Sequence, residues 1–172
     1  MEYKNPMQKP RIEKAVLNIG VGSSGEELGR AEKLLRKLTN KTPIRTISKH
    51  KIPAWNLKKR EPIGCKITLR GKEAAEILKR GLYAKDNKLS PNNFDNAGNV
   101  AFGVQEYIDI KDIKYDPDIG IYGLNFNITL EKPGYRVKKR RLAKAKVPER
   151  HNVKKEEAME FMKENFGVEI EQ

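Results

Sequence analysis

Cysteine, histidine and aromatic residues are scarce in this 172-residue chain, and long uncharged runs are missing. A single cysteine excludes an internal disulfide and a cysteine-rich metal site. The longest stretch without charge covers residues 119–130, which is well short of the ~20 apolar residues that a membrane span requires. The charged N-terminus has no apolar segment of the kind that a secretory signal contains. We therefore expect a soluble intracellular protein.

Basic charge is abundant instead, and it is unevenly distributed. The chain has 36 Lys and Arg against 23 Asp and Glu, a formal net charge of +13. Ten bases and one acid lie in residues 41–72, and eight bases and one acid lie in residues 135–150. Such segments attract polyanions and release counterions at phosphates, although two solvated charged loops are the simpler alternative. Nucleic acid is favoured over a membrane, because neither segment offers an apolar face with aromatic and leucine anchors.

Apolar periodicity predicts an α+β fold with the element order β-α-β-β-α-β-β, followed by a basic C-terminal extension and a helix. The expected strands cover residues 11–19, 44–48, 63–70, 102–108 and 123–130. The helices are expected to end near residue 40, to cover residues 72–80, and to cover about 153–166. Helices on one face of a mainly antiparallel sheet, in a split β-α-β arrangement, would form one domain over residues 1–172.

Local signals refine this assignment. Ser24, followed three residues later by Glu27, matches a capping box at the start of the first helix. Ala75 is expected in the core, and Asn152 is placed to cap the last helix. Residues 83–99 are rich in Asn, Asp, Ser, Pro and Gly and are expected to form a long mobile loop.

Strand alternation places polar side chains on the sheet face that the helices leave uncovered. The outward residues are Asn18, Lys66, Thr68, Arg70, Asn125, Asn127 and Thr129. The strand at residues 63–70 carries no aromatic residue that could stack on bases. We therefore expect contacts to the phosphates and sugars of structured RNA rather than stacking along a single strand.

The sequence offers no catalytic or cofactor-binding constellation. His50 and His151 lie beside basic residues, and alternation points Cys65 into the sheet as a small core residue. Residues 20–25 read G-x-G-x-x-G between a strand and a helix. The dinucleotide fingerprint needs an acid about 20 residues further on, but the first acid beyond the helix is Glu61. We expect neither an enzyme nor a cofactor, and we expect the glycines to serve a tight turn.

Several stretches of the sequence resemble a known family. They read KAVLNIGVG at residues 14–22, KTP at 41–43 and PIGCKITLRG at 62–71, followed in order by NFD at 93–95, FGV at 102–104 and YD at 115–116. Over residues 10–170 the chain is similar to the universal large-subunit ribosomal protein five family, which binds 5S rRNA. The basic tail resembles the archaeal and eukaryotic members.

The resemblance implies a structural, non-enzymatic protein of the large ribosomal subunit in the cytoplasm. Its implied partners are 5S rRNA, large-subunit rRNA, P-site tRNA, a head protein of the small subunit, which would make an intersubunit bridge, and neighbouring large-subunit proteins. A stand-alone RNA-binding regulator or an RNA-processing factor is the alternative.

Family positions and local charge together assign three sets of residues. Asn18, Lys41 and Thr68 match family positions that hydrogen-bond 5S rRNA. The full 5S rRNA set is Asn18, Lys41, Arg45, Lys49, Lys51, Lys66, Thr68 and Arg70. The set for other rRNA is Lys58, Lys59, Arg60, Arg136, Lys138, Lys139, Arg140 and Arg141. The set expected near tRNA is Lys85, Lys88, Asn92 and Asn93.

Overall fold

The computed structural model describes residues 5–111 and 113–171. Within these residues the strands are β1 (Arg11–Gly20), β2 (Ile44–Ile47), β3 (Pro62–Leu69), β4 (Lys88–Leu89), β5 (Val100–Val104), β6 (Leu124–Glu131) and β7 (Glu169–Ile170). The α-helices are α1 (Glu26–Thr39), α2 (Lys72–Tyr83), α3 (Arg136–Lys139) and α4 (Lys155–Phe166). The order of the major elements is the predicted one.

Five strands form one antiparallel sheet in the order β2-β3-β1-β6-β5. Because β1 and β2 both pair antiparallel with β3, they run parallel to each other and are joined by α1. This is the expected split β-α-β arrangement. The α+β class and the mainly antiparallel sheet are confirmed.

Helices α1 and α2 cover one face of the sheet and form the core with it. The apolar stripe of α1 is buried, and it consists of Leu28, Ala31, Leu34, Leu35 and Leu38. Alternate residues of β1 are buried beneath the helices, namely Ala15, Leu17 and Ile19. Close packing requires a glycine in α2, because a Cβ atom at Gly81 would lie 2.5 Å from the Phe126 ring. The Phe126 ring in turn stacks on Phe102, with 5.0 Å between the centroids.

The ends of α1 differ in how well they were predicted. The capping box is wrong, because Gly25, with φ of 112°, is the N-cap and no side chain caps the helix. Ser24 Oγ instead donates to Glu61 Oε1 at 2.6 Å. The helix ends as expected, at Asn40 in the left-handed conformation.

Helix α2 is longer than expected and buries a different alanine. It continues to Tyr83, and this extra turn carries Gly81 and Leu82 into the core. Ala74 is fully buried, whereas Ala75 is only half-buried, so the prediction for Ala75 is wrong.

The strand expected at residues 102–108 is shifted. It begins at Val100 and ends at Val104, and a 3-10 turn follows at Tyr107–Asp109. Tyr107 is fully buried, and its hydroxyl accepts the Asp116 N–H at 3.0 Å. The chain therefore turns into the core after Val104, where the sequence predicted that the strand would continue.

Residues 83–99 are not a free loop, so that prediction is wrong. Strand β4 pairs in parallel with β7 near the C-terminus. Leu89 and Phe94 are buried, and a Cβ atom at Gly98 would lie 2.6 Å from the Val153 side chain. Contacts with the C-terminal part of the chain, distant in sequence, therefore hold this segment.

The start of α4 also differs from expectation. Its N-cap is Lys154, whose N–H donates to Glu157 Oε2 at 3.0 Å, so Asn152 is not the cap. Lys132 lies 2.8 Å from the Glu157 carboxylate, and this buried ion pair joins the end of β6 to α4. Gly167 ends the helix in the left-handed conformation. Among the described residues, no helix is long and apolar enough to cross a membrane.

Candidate nucleic-acid interface

The sheet face opposite the helices, called the open face below, is polar. The strand register makes Lys66, Asn18 and Asn125 direct neighbours across β3, β1 and β6. Thr68 and Asn127 belong to the next row. Neighbours of this kind lie about 4.5–5.5 Å apart. Because all five residues are exposed or half-buried, the predicted polar open face is confirmed.

Asparagine side chains line a cavity of about 320 Å³ on the open face, beside β5. Asn18, Asn125 and Asn127 present amides, which can each donate and accept hydrogen bonds. Asn93 lines the same cavity, although it was assigned to the tRNA set. Its Oδ1 accepts the Ser90 N–H at 2.9 Å and its Nδ2 donates to Ala101 O at 2.8 Å, so this side chain holds the local turn.

Two cations of the 5S rRNA set lie on the helix side of the sheet. Arg45 pairs with Glu32 of α1, and this hydrogen bond holds the pKa of the Glu32 carboxyl below its ordinary value. Lys41 pairs with Glu73 of α2. The structure therefore groups Lys66 with the polar open-face residues and separates it from these two cations.

Residues 48–61, called the basic loop below, form a closed structure between β2 and β3. The Ser48 N–H donates to Glu61 O at 2.8 Å, and the Arg60 N–H donates to Ser48 O at 2.9 Å. The Glu61 carboxylate accepts the Ser24 hydroxyl and, at 2.8 Å, the Lys58 N–H, and these bonds lower the pKa of Glu61. The exposed cations of the loop are Lys49, Lys51, Lys58, Lys59 and Arg60.

An aromatic side chain that the sequence analysis did not assign lies in this loop. Trp55 ends a short 3-10 turn and is 70 % exposed, whereas Leu57, two residues further on, is buried. The backbone of Ile52 pairs with that of Leu57 and fixes the turn. An exposed indole among cations can stack on an unpaired base. The sequence does contain a signal for this residue, because Trp55 lies between the basic residues at 49–51 and those at 58–60.

The second basic segment, residues 135–150, lies at the other end of the sheet. The cations next to or within α3 are all exposed, namely Arg136, Lys138, Lys139, Arg140 and Arg141. Lys139 differs, because its Nζ donates to Glu13 Oε1 and Glu131 Oε2 at 2.7 Å each. Tyr135 precedes α3, and its hydroxyl donates to Asn152 Oδ1 at 2.7 Å. This segment is therefore held against the sheet by side chains.

The two basic regions lie at opposite ends of β1. The basic loop adjoins the Gly20 end, because Gly20 pairs with Gly64 just after the loop. The second basic segment adjoins the Arg11 end, where Arg11 pairs with Glu131. Ten strand residues span about 30 Å at ~3.3 Å each. The open face lies between these two groups of cations.

The remaining members of the tRNA set have mixed surroundings. Lys88 lies 2.9 Å from Glu171, which raises the pKa of Lys88. Lys85 is half-buried and Asn92 is exposed. Lys88 and Asn92 are thus the exposed polar side chains of this set, and Lys88 is engaged in an ion pair.

The backbone of the glycine-rich turn is bonded to the start of β3. The N–H groups of Val21 and Gly22 donate to Ile63 O at 3.1 and 2.9 Å, so they are already engaged. Cys65 is buried, and burial raises the pKa of its thiol to about 11. The described residues contain no cluster of three or more side chains able to hold a metal ion.

An antiparallel sheet with an exposed face of amides, hydroxyls and a lysine, flanked by two ordered basic regions, is typical of a protein that contacts the phosphates and sugars of structured RNA. Comparison with known proteins gives a consistent result. The family model described as Ribosomal protein L5 matches residues 5–58, and the model that describes the C-terminus of the same ribosomal family matches residues 62–165.

Relatives named large ribosomal subunit protein uL5 are similar over nearly the whole chain. The protein of Methanosphaera stadtmanae is 52% identical over 167 residues, covering 97% of this chain and 99% of its own length. The protein of Sulfurisphaera tokodaii is 50% identical, covering 96% and 94% respectively. That of Methanobrevibacter smithii is 47% identical, covering 95% and 96%. The chain belongs to the uL5 family of large-subunit ribosomal proteins.

Family membership confirms the expected class. These relatives are archaeal, as the resemblance of the basic tail indicated. The protein is a structural component of the large subunit of the cytoplasmic ribosome, and its family is not one of enzymes.

Proposed function

We propose that this protein binds 5S rRNA and attaches it to large-subunit rRNA in the central protuberance. The observation that carries the proposal is the open face, where amides and a hydroxyl lie between two groups of cations. Asn18, Thr68, Asn125 and Asn127 can hydrogen-bond ribose hydroxyls and base edges. A wide and shallow RNA minor groove presents those groups to a flat surface.

The two basic regions would hold the RNA at either end of this surface. Lys49, Lys51 and the cations at residues 58–60 are exposed at one end, and the cations around α3 are exposed at the other. Both can contact phosphates, which position an RNA without reading its sequence. Trp55 adds a stacking surface for one unpaired base beside the loop cations.

Competitive filter binding tests the proposal. Labelled 5S rRNA would be displaced from the protein by unlabelled 5S rRNA, by a tRNA, or by an unrelated structured RNA of equal length. We expect 5S rRNA to compete best. Equal competition by all three would contradict a specific 5S rRNA site. Trp55 is the chain's only tryptophan, so its fluorescence gives an independent measure of binding.

We also propose the finer contacts that the family resemblance implies. Residues 83–99 would approach P-site tRNA, with Lys85, Lys88 and Asn92 as the nearest polar side chains. A small-subunit head protein and neighbouring large-subunit proteins would contact other surfaces. The chain would act as one domain, which is supported by β1 and β6 lying side by side in one sheet although they come from the two separately matched parts.

Sedimentation separates this function from the alternatives. A ribosomal component should comigrate with large subunits in a sucrose gradient, also after a wash in moderate salt. A stand-alone regulator or an RNA-processing factor would instead remain largely at the top of the gradient.

A further inference from the structure

Two nearly buried carboxylates meet at the end of the sheet that carries the second basic segment. Glu131 ends β6, and Glu13 lies where the register of β1 on β6 shifts between Ile12 and Lys14. Their side chains are 9% and 11% exposed. Burying two neighbouring carboxylates costs free energy through desolvation and like-charge repulsion, unless cations compensate.

Lys139 provides the central compensation. Its Nζ lies 2.7 Å from an oxygen of each carboxylate. Arg11 lies 3.1 Å from Glu131, and Arg70 lies 3.4 Å from Glu13. Burial by itself raises the pKa of the Glu13 carboxyl, but the hydrogen bond and charge of Lys139, with further cations, hold that pKa below its ordinary value.

Lys139 differs from its neighbours in the second basic segment because its charge is paired with two carboxylates. Two of the three N–H donors of the Lys139 ammonium are bound to carboxylates, so at most one remains for an RNA phosphate. Arg136, Lys138 and Arg140 are exposed. The four residues of α3 are too few to form a stable helix on their own, so their orientation depends on tertiary contacts such as this one.

We infer that Glu13 and Glu131 are positioning residues, which hold α3 on the sheet through Lys139 and so direct the neighbouring cations toward RNA. The inference rests on the proposed RNA binding, because it names the groups that orient part of that site. Net charge alone leads to the opposite expectation. Removing two acids makes the protein more basic, which should strengthen its binding to a polyanion.

The sign of a double substitution therefore distinguishes the two accounts. Glu13→Gln with Glu131→Gln removes both carboxylates and preserves side-chain size. Its control is Glu76→Gln with Glu106→Gln, which changes the charge equally at exposed positions outside the observed ion pairs. We expect the first variant to bind 5S rRNA about three- to tenfold more weakly, which lies within the range of a typical coupling between sites. The control should bind as well as or better than the wild type.

Limited trypsin digestion without RNA tests the positioning itself. We expect cleavage within residues 136–141 to become about tenfold faster in the first variant, because local opening exposes the backbone to the protease. The control should be cleaved at the wild-type rate. If the double variant does not fold, as judged by circular dichroism, the single Glu13→Gln variant should show the same changes to a smaller extent.

Two results would overturn the inference. One is a Glu13→Gln/Glu131→Gln variant that binds 5S rRNA as tightly as the control variant. The other is a folded variant whose α3 is cleaved at the wild-type rate. If instead the wild type shows no preference for 5S rRNA, the proposed function fails, while the digestion still decides whether the carboxylates hold α3.

Discussion

The basic loop and the second basic segment are both rich in cations but are held in place by different forces. In the basic loop, backbone bonds between Ser48 and Glu61 and between Arg60 and Ser48 close the chain on itself. In the second segment, the main polar contacts with the rest of the fold run through side chains, including Lys139 and Tyr135. A backbone closure depends little on ionic strength, whereas an ion pair with a partly exposed lysine is weakened by salt.

This difference shows that a high density of bases in a sequence does not define one kind of surface. The exposed cations of the basic loop project from a structure that forms without them. The cations around α3 depend on two carboxylates elsewhere in the chain. Salt should therefore act on the loop only by screening its RNA contacts, and on the second segment also by loosening its attachment.

The largest expected effect is the salt dependence of 5S rRNA binding. If about five phosphates are neutralised, log K against log[salt] should fall with a slope of roughly −4, or on the order of a hundredfold between 50 and 200 mM salt. Lys58→Gln with Lys59→Gln should reduce the slope by about 2, and so should Lys138→Gln with Arg140→Gln. Filter binding over a salt series gives this slope for the wild type and for both double variants. A wild-type slope near zero would remove the electrostatic argument.

Substitution of Trp55 should give the next largest effect. It sharpens the contrast between the two basic regions, because α3 contains no aromatic residue. Trp55→Ala should weaken 5S rRNA binding by about 1–3 kcal/mol, the usual loss for one stacked base. Trp55→Phe should retain much of the affinity, because a ring that can stack remains. Filter binding is the measurement, since both variants lose the fluorescence signal. Full affinity of Trp55→Ala would show that the indole does not touch RNA.

The open face should respond more modestly, because its residues make neutral hydrogen bonds. Asn18→Ala and Thr68→Ala should each weaken 5S rRNA binding by ~1–2 kcal/mol and leave the melting temperature nearly unchanged. Asn96→Ala, at an exposed turn before β5, is the control. A variant that lost thermal stability yet kept its affinity would mean that the side chain supports the fold instead of the interface.

Elements with strong periodicity were predictable from the sequence, and elements set by distant contacts were not. The stripe on α1 and the alternation in β3 and β6 specify a buried face locally. By contrast, β4 is a strand only because β7, some 80 residues away in sequence, pairs with it. The same reason explains Asn152, which looks like a helix cap but instead accepts a hydrogen bond from Tyr135.

The candidate site shows the same limit. Alternation correctly placed Asn18, Lys66 and Thr68 together on the open face. It could not show that Arg45 faces Glu32 on the helix side, because that pairing depends on how α1 packs. Nor could it show that Lys139 lies between two carboxylates, one of them 126 residues away in sequence. Charge density in a sequence identifies a basic region without identifying which cations remain available to a ligand.

The smallest expected effect on 5S rRNA binding concerns residues 83–99, which lie outside both basic regions. Replacing this segment by a linker would not be a clean test, because Leu89 and Phe94 are buried and their loss would destabilise the fold. Lys85→Ala with Asn92→Ala changes only polar side chains. The variant should bind 5S rRNA within ~0.5 kcal/mol of wild type, the scale of ordinary surface substitutions.

The same variant separates the proposed tRNA contact from the 5S rRNA site. In assembled ribosomes it should release P-site tRNA faster than wild type, because the proposed polar contacts to the tRNA are removed while the 5S rRNA surface is intact. Lys79→Ala, an exposed substitution on α2, is the control for a general loss of positive charge. Unchanged tRNA release would contradict the proposed tRNA contact. A clear loss of 5S rRNA affinity would show that these side chains belong to the 5S rRNA surface instead.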